Sequence, residues 1–129
     1  MGEDGLSLIF ARHGRSAWNL DGRYQGRSDP PLCAEGEGDA RALAERLGTE
    51  AVSAIFTSPL RRAATTAEIL GGRLSSAPIA VDHRLTEIAF GGWEGLTQDE
   101  AAALLGISRK AVETRIYRAR QKLASILEG

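Results

Sequence analysis

The sequence predicts an α/β fold: a mostly parallel, three-layer α/β sheet followed by a C-terminal helix-turn-helix pair. Three observations carry this expectation. Short apolar runs alternate with amphipathic helical stripes in the order strand, helix, strand, helix, strand, and strands separated by helices pair in parallel. Pro and Gly punctuate the joins. At the far end, two N-capped helical stripes follow one another across a single glycine turn.

Each element has its own local reason. Leu6-Ser7-Leu8-Ile9-Phe10-Ala11 is apolar enough for a buried strand. Residues 15–33 are rich in Gly, Asp, Arg and Pro and read as a long loop. Ala40, Leu43, Ala44 and Leu47 fall at i, i+3, i+4 and i+7 and define a helix over about 35–48. Ala51 to Phe56 reads as a second strand, broken by Ser58-Pro59. Ala63, Ala67 and Leu70 mark a helix of about 60–71, closed by Gly71-Gly72. Ile79-Ala80-Val81 is a third short strand. In the tail, Thr97 and Glu100 form a capping-box pattern, Ala101, Leu104 and Leu105 supply an apolar face, and Gly106 ends the helix. Ser108 caps a longer helix striped by Val112, Ile116, Ala119, Leu123 and Ile126. The expected division is an α/β domain over 1–95 and a helical unit over 96–129, the tail packing on the sheet.

The 129 residues are 43% hydrophobic and 26% charged, which excludes a disordered or collagen-like chain. The longest apolar run is too short to span a bilayer. No charged leader precedes an apolar stretch, so no secretory signal and no membrane partner are expected. Cys33 is the sole cysteine and there are two histidines. An internal disulfide and a Cys/His zinc cluster are thereby excluded, and the expected setting is reducing and cytoplasmic. The net charge of −1 is uneven: residues 1–96 carry ten Lys/Arg against thirteen Asp/Glu, and residues 97–129 carry six against four. An acidic front thus precedes a basic tail.

Arg12-His13-Gly14 follows the first apolar run, which puts His13 at the carboxyl edge of a parallel sheet, where ligands bind. A histidine there can be a phosphoryl-transfer nucleophile. Arg12, Arg61 and Arg62 lie at strand ends or just after them and match phosphate in charge and geometry. Glu87, after the third strand, can protonate a leaving oxygen. Taken alone, the triplet reads rather as a structural histidine with surface arginines.

The wider pattern is more specific. Leu8 to Gly14, Trp18-Asn19, Gly22-Arg23-Tyr24-Gln25-Gly26, Thr57-Ser58-Pro59-Leu60-Arg61-Arg62-Ala63, Thr66-Ala67 and Arg84 to Thr97 together resemble the histidine phosphatase (phosphoglycerate mutase-like) superfamily. The resemblance covers about three quarters of the chain. It implies a phosphohistidine-type phosphomonoesterase or mutase acting on a phosphate-bearing small molecule or a phosphoprotein. His13 would be phosphorylated, Arg12 and Arg62 would hold the phosphoryl oxygens with Asn19 nearby, and Glu87, in a Leu-x-Glu pattern, would be the general acid. No metal or cofactor is implied. Two departures stand out. The family's second histidine, on a later strand ending in His-Gly, has no counterpart; the only other histidine is His83. The sheet is therefore truncated, with impaired turnover and an unpaired edge that favours a homodimer. Cys33 also stands where a Ser or Thr helix cap is usual.

Residues 95–127, from Gly95-Leu96-Thr97 through Ser108, Val112 to Arg115 and Tyr117 to Leu123, resemble the last two helices of region 4 of an extracytoplasmic-function sigma factor. That resemblance implies a recognition helix of about 109–127 in the major groove of promoter DNA, with Arg109, Lys110, Thr114, Arg115 and Arg118 as contacts, and RNA polymerase as a further partner. Charge pattern alone reads as an amphipathic helix with a solvated basic face; the specific string is what favours DNA. Region 2 and the preceding region 4 helices are absent, and Glu94 to Glu100 fits both families. A chimeric gene product without evolved function stays open beside the two functional readings.

Overall fold

In the computed structural model, residues 7–74, 76–87 and 89–128 are described. Helix α1 spans Ala17–Leu20, α2 Ala34–Arg46 and α3 Arg61–Arg73. Strands β1 (Ile55–Thr57) and β2 (Ile79–Val81) pair in parallel, Ile55 opposite Ile79 and Thr57 opposite Val81. Single 3-10 turns at His83–Leu85 and Gly91–Trp93 lead to α4 (Gln98–Leu105) and α5 (Arg109–Glu128). The result is a mixed α/β fold with a small parallel sheet.

The first core lies where the periodicity puts it. Ala44, Leu70 and Leu74 are buried together, with Leu43, Leu47, Val52 and Ile55 packed around them. Helix α3 therefore sits between α2 and the strand pair. Gly71 and Gly72 do not end α3 as expected; the helix runs on to Arg73. Gly71 serves packing instead: a Cβ there would stand 3.0 Å from Ile79 Cδ1, so its absence lets β2 lie against the helix.

The sequence reading fails at the first strand. Leu6 lies outside the described residues, and residues 7–11 form no strand. Leu8, Ile9 and Phe10 are 69%, 54% and 90% exposed. A parallel strand persists only when both faces are covered, and a sheet three residues long offers neither length nor a second layer. Phe56, pointing away from α3 by strand alternation, is exposed too. Two layers replace the expected three among the described residues. The long loop is also more structured than expected: Ser16 caps α1, its hydroxyl accepting from Asn19 N at 3.2 Å while Asn19 Oδ1 accepts from Ser16 N at 2.9 Å.

Among the described residues, the tail packs on Tyr24, Trp93 and Leu96 rather than on the sheet as expected. Ala101, Ala102 and Val112 form a second core with Tyr24, Trp93, Leu96, Ile107 and Ile116. The backbone joins the same surfaces: Tyr24 N donates to Leu96 O at 2.9 Å, and Gly95 N to Tyr24 O at 2.8 Å. Thr97 Oγ1 accepts from Glu100 N, and Ser108 Oγ from Ala111 N, each at 3.1 Å. Gly106 turns the chain at φ 65°, a conformation that favours glycine. No described helix is long and apolar enough to cross a membrane.

Candidate active site

The Arg-His-Gly segment is seated by a close approach of two backbones. A Cβ at Gly14 would fall on the carbonyl oxygen of Gly36, and one at Gly36 on that of Arg15. Only glycine fits at either position. Gly36 lies in the first turn of α2, so the helix start presses against the loop. Cys33 fills the N-cap position without capping. Its N–H and thiol both donate to Arg15 O instead, at 3.0 and 3.2 Å. From the other side, Gly14 N donates to Thr66 Oγ1 at 3.0 Å, and that hydroxyl donates to Arg62 O at 2.7 Å. The loop is thus clamped between α2 and α3 at the carboxyl edge of β1, where Thr57 and Ser58 are also buried.

His13 and Arg62 meet in this clamp. Arg62 Nε donates to His13 Nε2 at 3.3 Å. A guanidinium can only donate, so Nε2 accepts and Nδ1 carries the proton. Nδ1–H in turn donates to Gly14 O at 2.6 Å. Burial pushes the His13 imidazole below its ordinary value, and the Gly14 carbonyl pulls it back. Arg62 and Arg12 push it down further, and Glu87 opposes them. The ring is neutral at pH 7, with the Nε2 lone pair directed at a cation.

Arg62 is 2% exposed, which is costly for a charge unless it is paired. Its NH1 donates to Ser28 O at 2.8 Å and its NH2 to Gly26 O at 2.7 Å. Those carbonyls belong to a loop organised by Glu94. One Glu94 oxygen accepts from Ser28 N at 2.7 Å and from the Ser28 hydroxyl. The other accepts from Arg27 N at 3.2 Å and Phe90 N at 3.0 Å. Burial raises the Glu94 carboxyl, but these hydrogen bonds outweigh it and hold the group below the usual carboxylate range. Gly26, at φ 52°, lies so close that a Cβ would stand 2.5 Å from Glu94 Oε2. Neighbouring Arg61 donates through its backbone N to Asp29 Oδ1 at 2.6 Å, tying the same loop to the start of α3.

The other sequence-predicted residues divide. Arg12 and Glu87 are exposed and act on His13 through their charge, and Glu87 O accepts from Arg27 Nε at 3.2 Å. Asn19 is occupied by the cap of α1, where its Oδ1 serves Ser16. On α5, Arg109 folds back to Asp99 at 3.1 Å and Gln98 at 3.0 Å. Thr114 Oγ1 donates to Lys110 O at 2.9 Å. Lys110, Arg115 and Arg118 are exposed. A groove lined by Tyr24, Gln98, Glu113, Ile116, Tyr117 and Arg120 runs along α5, with His13 outside it. Sequence reasoning missed Thr66, Ser28, Gly36 and Glu94 as parts of the site. The signal for Gly36 was a glycine in a helical first turn, where propensity argues against it. For Thr66 and Glu94 it was their presence in the motif blocks without an assigned role.

A neutral, oriented imidazole beside a buried guanidinium, reached by a second arginine and a carboxylate, is an arrangement suited to phosphoryl groups. The sequence profile of the histidine phosphatase superfamily (branch 1) matches residues 8–125, and the chain belongs to that family. It is 35% identical over 115 residues to a 2,3-bisphosphoglycerate-dependent phosphoglycerate mutase of Caulobacter vibrioides, covering 86% of this chain and 48% of the relative. It is 38% identical over 96 residues to phosphoserine phosphatase 1 of Hydrogenobacter thermophilus, covering 74% and 44%. Among solved structures, Bacillus stearothermophilus YhfR superposes with a TM-score of 0.66 at 47% identity, over 71% of this chain and 45% of that one. The chain thus spans about half the length of these relatives.

Proposed function

We propose that this chain carries a phosphate site that accepts a phosphoryl group on His13. The observation that carries the reading is the His13 tautomer: proton on Nδ1, held by Gly14 O, and lone pair on Nε2 facing Arg62. The Nε2 lone pair attacks the phosphorus of a phosphomonoester. The phosphorus–oxygen ester bond breaks, and its electrons leave on the alkoxide oxygen. Glu87, as the carboxylic acid, donates the proton that makes this oxygen an alcohol. Arg12 and Arg62 offset the negative charge of the phosphoryl oxygens, and Asn19 lies at the margin of the site. In hydrolysis, water attacks the phosphohistidine, Glu87 takes its proton, and the phosphorus–nitrogen bond breaks.

The second half-reaction is impaired in this reading. The only histidine besides His13 in these 129 residues is His83, exposed in a 3-10 turn, and in this reading these residues supply no second imidazole to brace the transferring group. Phosphoenzyme forms faster than it turns over. The test is incubation with p-nitrophenyl phosphate, following nitrophenolate release and acid-labile, base-stable phosphate on the protein. A stoichiometric burst that is lost in His13→Ala supports the proposal. No labelling of the folded wild-type protein overturns it. The substrate class is a phosphorylated small molecule or phosphoprotein, and the setting is the cytoplasm.

A second reading concerns the tail. Lys110, Arg115 and Arg118 are exposed on a helix whose start is capped by Ser108. Duplex DNA of promoter type, approached alone or with RNA polymerase, is the partner this basic face suits. Salt-dependent binding to a duplex, lost in Arg115→Ala plus Arg118→Ala, supports it; unchanged binding in that variant rejects it. Self-association through the exposed strand edge is the third partner proposal, tested by sedimentation.

A further inference from the structure

We propose that Glu94 is a positioning residue for the phosphate site, acting through the backbone of residues 26–28, whose carbonyls hold Arg62 against His13. The proposal rests on the reading of His13 and Arg62 as that site. Among the described residues, the Glu94 carboxylate accepts from Arg27 N, Ser28 N, the Ser28 hydroxyl and Phe90 N, and from neither His13 nor Arg62. Arg27 N shares its peptide unit with Gly26 O, and Ser28, held at both its N and its hydroxyl, carries Ser28 O on the next unit; these two carbonyls take the two outer nitrogens of Arg62. Fixing both carbonyls leaves the Arg62 fork one orientation, and in that orientation Nε reaches His13 Nε2 at 3.3 Å. Gly26 is part of the device, because any side chain there would push the loop off Glu94 and Phe90. The Glu94 charge also favours the charged form of Arg62 against its burial.

The chain of contacts makes a prediction whose sign separates it from the alternatives. If Glu94 acts through Arg62, loosening the loop lets the guanidinium drift from the imidazole, and His13 titrates higher. If Glu94 acted on His13 directly, removing a negative charge would make His13 titrate lower. If its role were only to hold the fold, the unfolding midpoint would fall and the His13 titration in the folded protein would not move. The other charges facing the ring, Arg12 and Glu87, are unchanged in every variant.

The experiment is a 15N and 13C NMR titration of the His13 imidazole in the full chain. In Glu94→Gln the expected result is a rise of at least about half a pH unit, a fraction of what loss of a neighbouring charge produces. Ser28→Ala, which removes one donor and leaves the carboxylate, shifts it the same way by less and keeps the test available if Glu94→Gln does not fold. In an Arg62→Met background Glu94→Gln has no further effect. A fall, no movement, or an equal rise in the Arg62→Met background overturns the proposal. Phosphohistidine formation by the wild-type protein is scored separately: its absence rejects the functional reading and leaves the titration to decide the positioning.

Discussion

Arg62 Nε donates to His13 Nε2 across 3.3 Å, and this contact fixes which ring nitrogen accepts. A charged imidazole would put two cations at hydrogen-bond distance, so the arrangement selects the neutral ring with its proton on Nδ1. An incoming phosphoryl group meets the lone pair and the guanidinium together.

Replacing the guanidinium tests this directly. Arg62→Met keeps much of the apolar stem and removes the charge, and the His13 imidazole then titrates higher than in the wild type. Phosphohistidine formation falls by about 10²–10³-fold, the size of effect that follows loss of one electrostatic donor. Arg62→Lys recovers charge but cannot span Gly26 O, Ser28 O and His13 Nε2 at once. It restores less than a tenth of the lost rate, as measured by single-turnover labelling.

Two glycines two residues apart on the same helix give opposite outcomes when changed to alanine. At Gly38 nothing lies within 4 Å of a new Cβ, so Gly38→Ala stabilises the protein by about 0.5–1 kcal/mol through helix propensity and the unfolded chain. At Gly36 a Cβ falls on Arg15 O. Overpacking of this kind costs about 1–3 kcal/mol and outweighs the propensity gain. Urea unfolding of the two variants shows midpoints displaced in opposite directions from the wild type.

These glycines mark where the sequence stops being legible. The stripe Ala40, Leu43, Ala44, Leu47 and the run at 79–81 are legible locally, and the structure agrees with them; of the strand read over 51–56 only Ile55 and Phe56 pair, with Thr57 added. Motif blocks brought His13 and Arg62 together correctly. What could not be read depends on contacts distant in sequence. Gly36 reads as a weak helix former until Arg15 is seen against it. The role of Asn19 in capping α1 is invisible until its oxygen is seen on Ser16. Leu8-Ile9-Phe10 reads as buried because apolarity reports a preference for cover, whereas cover is supplied by other parts of a fold. Tyr24 reads as a loop residue, yet it forms the floor of the core under α4 and α5.

The neutral state of His13 makes stability depend on pH. Burial and two arginines hold the folded imidazole below its ordinary value, which is about 6.5 in the unfolded chain. As pH falls below that value the unfolded chain takes up a proton that the folded one refuses, so stability rises with pH. The contribution is fully present above about pH 6.5 and is lost as pH falls through the folded value. His13→Gln removes this dependence: the two proteins diverge in urea midpoint between pH 7.5 and 5.5, the wild type losing more. The acid limb of phosphohistidine formation has its midpoint below the ordinary imidazole value for the same reason.

The tail and the site share a backbone. Val112 is fully buried among Ala101, Ala102, Tyr24 and Trp93. Val112→Ala removes two methyl groups and costs about 1.5–2 kcal/mol by transfer alone. Tyr24 exchanges backbone hydrogen bonds with Gly95 and Leu96 in the strip that leads into α4, and Gly26, two residues beyond Tyr24, holds Arg62. Loosening the second core therefore reaches the site through the 24–26 segment and through Glu94, the neighbour of Trp93. Hydrogen exchange on Val112→Ala shows Tyr24 and Gly95 amides losing protection, while Leu70 and Leu74 in α2–α3 packing keep theirs. Uniform loss across both cores would mean that the chain unfolds as one unit, and that the tail has no separate hold on Arg62.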